Sequence, residues 1–335
     1  MMAMRPQAMK GEKMMEKILV VLPVEERHRK MFQKAAPQAE FIWCPAADVT
    51  REQVREANII IGNVPREFLK DSPNLRWIQL NNAGTEGFCE PGVLPEGTLL
   101  TNATGAYGMA ISEHMIAMLF MLQKHLSVYY LQQREHRWEK QEPMAVTEGS
   151  TLLVLGLGDI GGSFARKMKA MGAYVIGVRR TVREKPEYVD ELYTMDSLRQ
   201  LLPRADVVAL SLPGYQATRG VIGAAELELM RKNAVLLNVG RGTAVDTDAL
   251  SEALYAGKIA GAGLDVTDPE PLPADHPLWD APGALITPHV SGGYALKPTL
   301  EKILALSAGN LERYERGEKL ENLIDRETGY VKRAV

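Results

Sequence analysis

The sequence predicts an α/β fold with two doubly wound parallel sheets. Short apolar runs rich in β-formers alternate with helical patterns along most of the 335 residues, which is typical of parallel strands joined by helices. One such run ends in a glycine-rich turn at Gly156, and a second β-rich run follows the next helix at the distance of a βαβ unit. The length allows more than one domain, since a domain typically holds about 100–200 residues.

The composition argues against several classes of protein. The net charge of −3 disfavours nucleic acid as a main partner, because that partner requires a concentrated basic face. No apolar run approaches the ~20 residues of a membrane span. Cys44 and Cys89 are too few for a disulfide scaffold or a CxxC metal site, so we expect a reducing cytoplasm. The Met-rich start lacks the apolar core of a secretory signal and predicts a frayed tail or an alternative start.

The first hundred residues predict one α/β unit. Its predicted elements are strands at 18–22, 41–44, 58–62 and 77–80 and helices at 25–36, 51–56 and 65–69. The first strand runs into Pro23-Val24-Glu25-Glu26 and not into glycines, so no second nucleotide is expected. Asn81-Asn82-Ala83-Gly84 follows a strand end, where ligands of such sheets bind, so this loop is a candidate ligand loop. A simple turn closed by Gly84 is the alternative.

A long helical pattern runs from Met109 to about Trp138. Its apolar positions recur every three or four residues and predict a buried face. His114, His125 and His136 are eleven residues apart, whereas metal ligands on one helix need a spacing of three or four, so we expect no metal site. A helix of this length can bury its apolar face against a second subunit, and we therefore expect a homodimer.

The glycine-rich turn is a candidate dinucleotide site. Gly156, Gly158 and Gly161 form G-x-G-x-x-G between a predicted strand and a predicted helix, with Asp159 and Ile160 inside the pattern. The first glycine permits the tight turn, the second lets a pyrophosphate approach the backbone, and the third lets the helix pack on the strand. The helix N–H groups and dipole then face the phosphates. A tight turn that binds no ligand is the alternative.

A basic turn follows the second strand of this unit. Arg179-Arg180-Thr181 stands where an acidic residue often accepts hydrogen bonds from the adenosine ribose. A guanidinium pairs with a 2′-phosphate through two hydrogen bonds, whereas a carboxylate would repel it. The pattern therefore predicts a preference for NADP over NAD. Two solvated surface arginines are the alternative.

The remaining pattern continues the alternation of strands and helices to residue 316. It predicts strands at 205–210, 234–239, 261–266 and 284–286 and helices at 196–202, 226–230, 246–255 and 297–316. Two of these strands end next to further candidate cofactor contacts, namely Leu212 and Pro213 after one, and Val239 and Gly240 after the next.

Three polar residues beyond strand ends of this unit have the chemistry to reduce a 2-oxo acid. Arg241 can hold a carboxylate with its planar fork, and His289 can protonate the developing alkoxide. A carboxylate such as Glu270 beside that histidine would orient its ring and favour its protonated form. Each has an ordinary alternative: a surface turn for Arg241, a solvated loop charge for Glu270, and a turn cap for His289.

These residues lie in motifs that resemble the D-isomer-specific 2-hydroxyacid dehydrogenase family. The motifs are Ser112-Glu113-His114, Asn238-Val239-Gly240-Arg241-Gly242, Gly261-Ala262-Gly263-Leu264-Asp265-Val266, Asp268-Pro269-Glu270-Pro271-Leu272-Pro273, His276-Pro277-Leu278-Trp279 and Thr287-Pro288-His289-Val290-Ser291-Gly292. Their order and spacing agree from about Leu75 onward, whereas earlier residues match only in pattern. Arg179-Arg180 departs from the acidic residue usual in NAD-using members.

The resemblance implies two Rossmann-like doubly wound domains separated by a cleft. Residues 1–102 with 298–335 would bind the substrate, and residues 103–297 the dinucleotide. It implies Arg241, Glu270 and His289 as the catalytic set. Ala83 and Gly84 would join Arg241 in binding the substrate carboxylate, Asp265 would meet the nicotinamide amide, and Gly292 would lie near the nicotinamide.

The predicted activity is reversible reduction of a 2-oxo acid to a D-2-hydroxy acid, with NADP preferred over NAD. The resemblance is nearest to glyoxylate/hydroxypyruvate reductase-like members. One alternative is a dinucleotide-sensing binding protein on the same fold. Another is a related dehydrogenase of phosphoglycerate, phosphite or formate.

Overall fold

The computed structural model describes residues 15–85, 87–181, 184–294 and 296–332, so the predicted tail before Met15 lies outside the described residues. The chain divides into two compact units. One comprises the residues up to Thr104 together with those from Leu300 onward, and the other is Gly105–Thr299. The sequence analysis predicted the domain boundaries at 102/103 and 297/298. The substrate-binding and dinucleotide-binding roles of the two units stay predictions.

Each unit is built on a parallel sheet, which confirms the α/β fold class. The strands of the first unit are β1 (Lys17–Val20), β2 (Glu40–Trp43), β3 (Ile59–Ile61), β4 (Trp77–Gln79) and β5 (Leu99–Thr101), in the order β2-β1-β3-β4-β5. Those of the second are β6 (Thr151–Leu155), β7 (Tyr174–Val178), β8 (Glu191–Tyr193), β9 (Val207–Leu210), β10 (Val235–Asn238), β11 (Gly261–Leu264) and β12 (Ala284–Ile286), in the order β12-β11-β10-β9-β6-β7-β8. The second order reverses direction between β6 and β9, which is the switch point of a Rossmann-type sheet.

Helices connect the strands of both sheets. Within the described ranges they are α1 (Glu26–Ala35), α2 (Arg51–Glu56), α3 (Arg66–Leu69), α4 (Gly108–Gln123), α5 (Leu126–Arg134), α6 (Asp159–Ala170), α7 (Leu198–Leu201), α8 (Ala224–Leu229), α9 (Thr247–Tyr255) and α10 (Lys297–Arg316). Thr50 caps α2 and Asp246 caps α9 by accepting a backbone N–H one turn further on. Of the helices described, none combines the length and the apolar character needed to cross a bilayer.

The centre of the second sheet is buried on both faces. Strands β6, β9 and β10 carry continuous apolar runs with no alternation, and their side chains are inaccessible to solvent or nearly so. This pattern is typical of parallel strands covered by helices on both sides. The rigid centre fixes the loops at the carboxyl ends of these strands, where the candidate site lies.

A buried hydrogen-bond network ties α10 to the first sheet. Gln79 on β4 is fully buried, and its Oε1 accepts from Thr101 Oγ1 at 2.8 Å and from Asn310 Nδ2 at 2.9 Å. The indole N–H of Trp77 donates to the same Thr101 hydroxyl at 2.8 Å, and its ring stacks on Tyr314. Because these polar groups are satisfied by one another, they can be buried without a large penalty.

The structure corrects the prediction of one helix from Met109 to Trp138. Helix α4 ends at Gln123, and His125 adopts a left-handed backbone with φ of 51° before α5 begins. Its Nε2 donates to the Pro143 carbonyl at 2.9 Å, so a returning segment holds the break in place. No proline or glycine marks this break in the sequence. The sequence analysis also missed the strands β5 and β8.

Candidate active site

The glycine-rich turn leaves room for a phosphate. Gly156 has a φ of +94°, and Gly158 is the N-cap of α6 with open space where a Cβ would stand. At Gly161 a Cβ would lie 2.0 Å from the Gly156 carbonyl oxygen, so this position admits no side chain. Ser211 Oγ donates to that same carbonyl at 2.7 Å and fixes the turn. The residues therefore fit a dinucleotide, because the first N–H groups of α6, including the turn at Ile160, face an uncrowded loop.

The Asp159 side chain has a role that the sequence did not predict. Its Oδ2 accepts the backbone N–H groups of Gly105, Tyr107 and Gly108 at 3.0, 3.2 and 2.8 Å. A Cβ at Gly108 would come within 2.3 Å of the same carboxylate. Asp159 thus ties the start of α4 to the glycine-rich turn.

The basic turn lies at the same edge of the sheet. Arg179 Nη2 donates to the Leu157 carbonyl at 3.3 Å, and Leu157 directly follows the first glycine of the turn. Arg180 and Thr181 are exposed. The backbone N–H of Arg179 donates to the Tyr193 carbonyl, so β8 supports the turn from the side. Arg179 therefore stands beside the predicted phosphate site, and Arg180 and Thr181 follow it in the exposed turn.

The loops after β9 and β10 meet backbone to backbone. A Cβ at Gly240 would lie 2.5 Å from the Leu212 carbonyl oxygen, so the pairs Leu212-Pro213 and Val239-Gly240 pack closely. Asn238, fully buried at the end of β10, accepts the Gly240 N–H at 3.0 Å and donates to the Arg241 carbonyl at 3.0 Å. Sequence reasoning did not single out Asn238, although a buried amide ending an apolar strand is a usable signal.

Arg241 emerges from this loop in a half-buried position. Its Nη1 donates to the Gly240 carbonyl at 2.8 Å, which directs the guanidinium. At the neighbouring Gly242 a Cβ would stand 1.8 Å from the Thr267 carbonyl oxygen. The Arg241 loop is therefore packed against the loop that leads to Glu270.

His289 and Glu270 form a close pair. His289 Nδ1 lies 2.6 Å from Glu270 Oε1, and the two side chains are 49 % and 43 % exposed. A carboxylate only accepts, so Nδ1 carries a proton and Nε2 is the ring atom left for a substrate. His289 has a φ of +52°, a left-handed conformation that costs a non-glycine residue roughly 1 kcal/mol. The two residues are nineteen positions apart, so the fold and not local sequence brings them together.

Asp265 anchors the segment that carries His289. Its side chain is fully buried, and its carboxylate accepts from Thr287 Oγ1 at 2.6 Å and from the N–H groups of Val290 and Ser291 at 2.9 and 3.1 Å. Its carbonyl accepts the His289 N–H at 2.9 Å. Asp265, for which we predict a contact with the nicotinamide amide, also holds the histidine loop through these hydrogen bonds.

Gly292 packs against the start of α4. A Cβ there would lie 2.6 Å from Ile111 Cδ1 and 3.1 Å from the Tyr107 ring. Burial, and to a lesser degree the charge of Tyr294, raises the pKa of Tyr107 above its ordinary value. Tyr107 therefore stays a neutral phenol at physiological pH.

Ala83 and Gly84 lie in the other unit, after β4. Asn102 Nδ2 donates to the Ala83 carbonyl at 2.5 Å, and the Ala103 N–H donates to the Asn82 carbonyl at 2.9 Å. Among the described residues, nothing accepts a hydrogen bond from the backbone N–H of Ala83 or of Gly84. The loop is held through its carbonyls while these two donors stay available.

Across the residues that the structure describes, no group of three or more His, Cys, Asp or Glu side chains could hold a metal ion.

Comparisons with known proteins agree with this geometry. Residues 116–291 match the family model described as D-isomer specific 2-hydroxyacid dehydrogenase, NAD binding domain. The glyoxylate reductase of Thermococcus litoralis is 30 % identical over 331 residues, covering 94 % of this chain and 98 % of that protein.

Two solved structures are similar over nearly the whole chain. A D-isomer specific 2-hydroxyacid dehydrogenase family protein from Aeromonas salmonicida has a TM-score of 0.81 and 31 % identity, covering 93 % of this chain and 99 % of that one. The NADPH-dependent glyoxylate/hydroxypyruvate reductase from Sinorhizobium meliloti, solved with NADP and sulfate, has a TM-score of 0.78 and 27 % identity, covering 94 % and 100 %. The chain therefore belongs to the D-isomer specific 2-hydroxyacid dehydrogenase family, the NAD(P)-dependent oxidoreductases of small 2-oxo and 2-hydroxy acids.

Proposed function

We propose that this protein reduces a small 2-oxo acid to the D-2-hydroxy acid, with NADPH preferred and His289 as the general acid. The observation that carries the proposal is the 2.6 Å contact between His289 and Glu270, in the same unit as the glycine-rich turn and Arg241. A reduced nicotinamide bound at that turn would supply the hydride to C2 of the acid.

His289 would provide the proton. Glu270 accepts from Nδ1, which fixes the orientation of the ring and leaves Nε2–H as the donor. As the carbonyl oxygen of the substrate gains negative charge, Nε2 protonates it, and in the reverse direction Nε2 takes the proton back. The ring keeps its orientation because Glu270 and the His289 backbone are both held.

Arg241 would bind the substrate carboxylate through its planar fork. The hydrogen bond from Nη1 to Gly240 orients the guanidinium and reduces the side-chain entropy lost on binding. We also propose that the backbone N–H groups of Ala83 and Gly84 donate to a substrate carboxylate. Support for this role is that both donors lack a described partner.

The NADPH preference is proposed from the basic turn. Arg179 is anchored beside the glycine-rich turn, and the exposed Arg180 and Thr181 add a second guanidinium and a hydroxyl for a 2′-phosphate. The reductase from Sinorhizobium meliloti, which is described as NADPH-dependent, supports the same preference. On this basis we assign dinucleotide binding to the unit of residues 105–299 and substrate binding to the other unit.

One assay tests the proposal. Oxidation of NADPH and of NADH would be followed with glyoxylate, hydroxypyruvate, pyruvate, phenylpyruvate and 2-oxoisocaproate in turn. We expect oxidation with at least one acceptor and a higher kcat/KM with NADPH, and the ranking of acceptors would give the size of the substrate pocket. Tight NADPH binding without any oxidation would contradict the proposal and favour a dinucleotide sensor or an acceptor outside the 2-oxo acids.

A homodimer is proposed from the exposed apolar side chains of residues 126–146. The side chains are Leu126, Val128, Tyr130, Leu131, Trp138, Met144 and Val146, with Leu131 58 % exposed and Trp138 fully exposed. Such a concentration is rare on a monomer surface and is typical of subunit interfaces. Sedimentation should give twice the chain mass, and Leu131→Glu should shift it towards one chain mass. A wild-type monomer at micromolar concentration would contradict the dimer.

A cytoplasmic location is proposed because neither cysteine forms a disulfide. Cys44 is buried and Cys89 is half-buried. Cysteines outside disulfides are usual where the compartment is reducing. Cell fractionation should recover the protein with cytoplasmic markers, and recovery outside the cell would contradict this location.

A further inference from the structure

A histidine outside the proposed catalytic set contacts the segment that carries His289. His114 lies on α4, and its Nε2 is 3.0 Å from Thr287 Oγ1 and 3.8 Å from Asp265 Oδ1. Thr287 Oγ1 in turn lies 2.6 Å from Asp265 Oδ1. We call His114, Thr287 and Asp265 the Asp265 cluster.

The proton positions within the Asp265 cluster follow from what each atom can do. The Asp265 carboxylate accepts two backbone N–H groups as well, so its oxygens act as acceptors and Thr287 donates its only hydroxyl proton to one of them. The Thr287 oxygen can then only accept from His114, which requires a proton on His114 Nε2. The hydrogen bonds of the cluster are therefore donated in one direction, from His114 to Thr287 and from Thr287 to Asp265.

Among the described residues, His114 is the basic side chain that lies within 4 Å of the buried Asp265 carboxylate. The Asp265 side chain is inaccessible to solvent, and among the described residues no lysine or arginine pairs with it. A buried carboxylate requires hydrogen bonds or a cation to remain ionised. His114, with 24 % of its side chain exposed, adds such a group to the Asp265 carboxylate. It does so from helix α4 and not from the histidine loop itself.

The Asp265 cluster acts on the backbone on both sides of His289. The Asp265 carbonyl accepts the His289 N–H, and its carboxylate accepts the next two N–H groups, from Val290 and Ser291. These bonds hold His289 in its left-handed conformation, with φ of +52°, from which Nδ1 reaches Glu270. Loss of the carboxylate geometry would let the loop relax towards an ordinary conformation and move the ring.

We propose that His114 is a positioning residue for the catalytic histidine, acting through Thr287 and Asp265 on the backbone conformation of His289. This inference rests on the proposed function, because it assumes that His289 is the general acid. It predicts that His114 contributes to turnover and not to cofactor affinity. A displacement of a catalytic group by about 1 Å can cost about 100-fold in rate.

The first test compares three single variants. His114→Leu removes the donor at similar size, His114→Gln keeps an N–H near the Nε2 position, and Glu113→Gln is a control on the same helix that loses only the surface pair with Lys167. We expect kcat to fall about 10- to 100-fold in His114→Leu and to be largely restored in His114→Gln, with the Kd for NADPH unchanged in all three. A merely structural role would lower thermal stability without rescue of turnover by glutamine.

The second test is a double-mutant cycle with His289→Ala. If His114 acts only through His289, adding His114→Leu to His289→Ala should leave the residual turnover within about twofold. Multiplicative losses would overturn the inference while leaving the role of His289 intact, and so would wild-type turnover in His114→Leu. Near-normal turnover of His289→Ala alone would instead overturn the proposed function and, with it, this inference.

Thr287→Val provides an independent variant if His114→Leu folds poorly. Valine has nearly the shape of threonine and removes only the hydroxyl that joins His114 to Asp265. We expect a similar fall in kcat and no further fall when His114→Gln is added. An unchanged kcat in Thr287→Val would overturn the proposed connection.

Discussion

The two units of this chain have parallel sheets, yet their first strands lead into opposite kinds of turn. Strand β6 leads to Gly156 and to a helix whose N-cap, Gly158, has no side chain. Strand β1 leads to Pro23 and to α1, whose N-cap is Glu25. A helix N-terminus attracts anions, so the first turn is open to a phosphate, whereas the second already contains a carboxylate.

The contacts of Glu25 reinforce this difference. Its carboxylate accepts from Arg27 Nε at 2.8 Å, and its N–H donates to His28 Nδ1 at 3.0 Å. The N–H of Glu25 is thus used within the protein, and its carboxylate is paired with a side chain of the same helix. Sheet topology alone therefore does not create a nucleotide site. The residues of the turn after the first strand would decide which unit can bind the nucleotide.

The largest expected effect concerns the unit that we assign to chemistry. His289→Ala should lower kcat about 10²- to 10⁴-fold, the usual contribution of a general acid, because Nε2 no longer supplies a proton. Steady-state turnover with saturating NADPH measures this loss. The Kd for NADPH, followed by fluorescence, serves as the control and should not change. Near-normal turnover would remove His289 from the mechanism.

The second prediction compares the effect of alanine on NADPH affinity at one glycine of each unit, Gly161 and Gly309. Gly161→Ala places a methyl group 2.0 Å from the Gly156 carbonyl, so the turn must shift, and overpacking of this kind costs roughly 1–3 kcal/mol. We expect the Kd for NADPH to rise about 5- to 150-fold, as those energies imply. Binding measured by fluorescence titration would show it.

Gly309→Ala is the matched control for that experiment. Gly309 lies in α10, and nothing stands within 4 Å of a Cβ added there. Alanine should stabilise this helix by about 0.5–1 kcal/mol and leave NADPH binding unchanged. If both variants bound NADPH like the wild type, the turn would not be the cofactor site.

The sequence was informative where function depends on local geometry. The turn at Gly156, Gly158 and Gly161 could be predicted from the spacing of the glycines between a predicted strand and a predicted helix, because the turn, the cap and the helix contact lie within six residues. The pairing of Glu270 with His289 was also predicted, from the chemistry that reduction of a 2-oxo acid requires and from their positions beyond strand ends.

Other features could not be predicted, because tertiary contacts create them. The carboxylate of Asp159 reaches back more than fifty positions to the start of α4, and His114 meets Thr287 across 173 positions. The break at His125 depends on a carbonyl of the returning chain at Pro143. Local propensity does not contain these contacts. The sequence therefore predicted one helix across the break at His125, and it predicted neither the side-chain contacts of Asp159 nor the contact of His114 with Thr287.

The third prediction sharpens the assignment of cofactor. Arg180→Ala should lower kcat/KM with NADPH about tenfold, the low end for an exposed hydrogen bond to a charged group, because a 2′-phosphate loses a guanidinium. The value with NADH should stay the same, since NADH has no such phosphate. Parallel measurements with both cofactors test this, and an equal loss with both would indicate a structural role only.

The smallest expected effect concerns stability at the edge of the same sheet. Hydrogen bonds from Arg204 and then from Tyr193 lower the pKa of Glu191 on β8 to about 2, from an ordinary 4.5. The stabilisation is therefore present above pH 4.5 and is lost as the pH falls towards 2. Since the pair is partly exposed, we expect it to contribute about 1 kcal/mol or less.

Glu191→Gln tests this pH dependence by acid and urea unfolding. Its deficit in unfolding free energy relative to the wild type should be largest near neutral pH and should vanish towards pH 2. Glu228→Gln, which removes a carboxylate paired with Lys258 at the surface, is the control. A deficit that is constant across the pH range would show that the charge of Glu191 is not what stabilises this edge.

The most direct test of the whole account is the product formed from a 2-oxo acid whose reduction creates a stereocentre. The wild-type protein would be incubated with NADPH and hydroxypyruvate, or with the best acceptor of the assay above that yields a chiral acid. Chromatography on a chiral phase would then identify the enantiomer. The account predicts NADPH oxidation with formation of the D-2-hydroxy acid alone. Formation of the L-acid, or NADPH binding with no reduction of any 2-oxo acid tested, would contradict it.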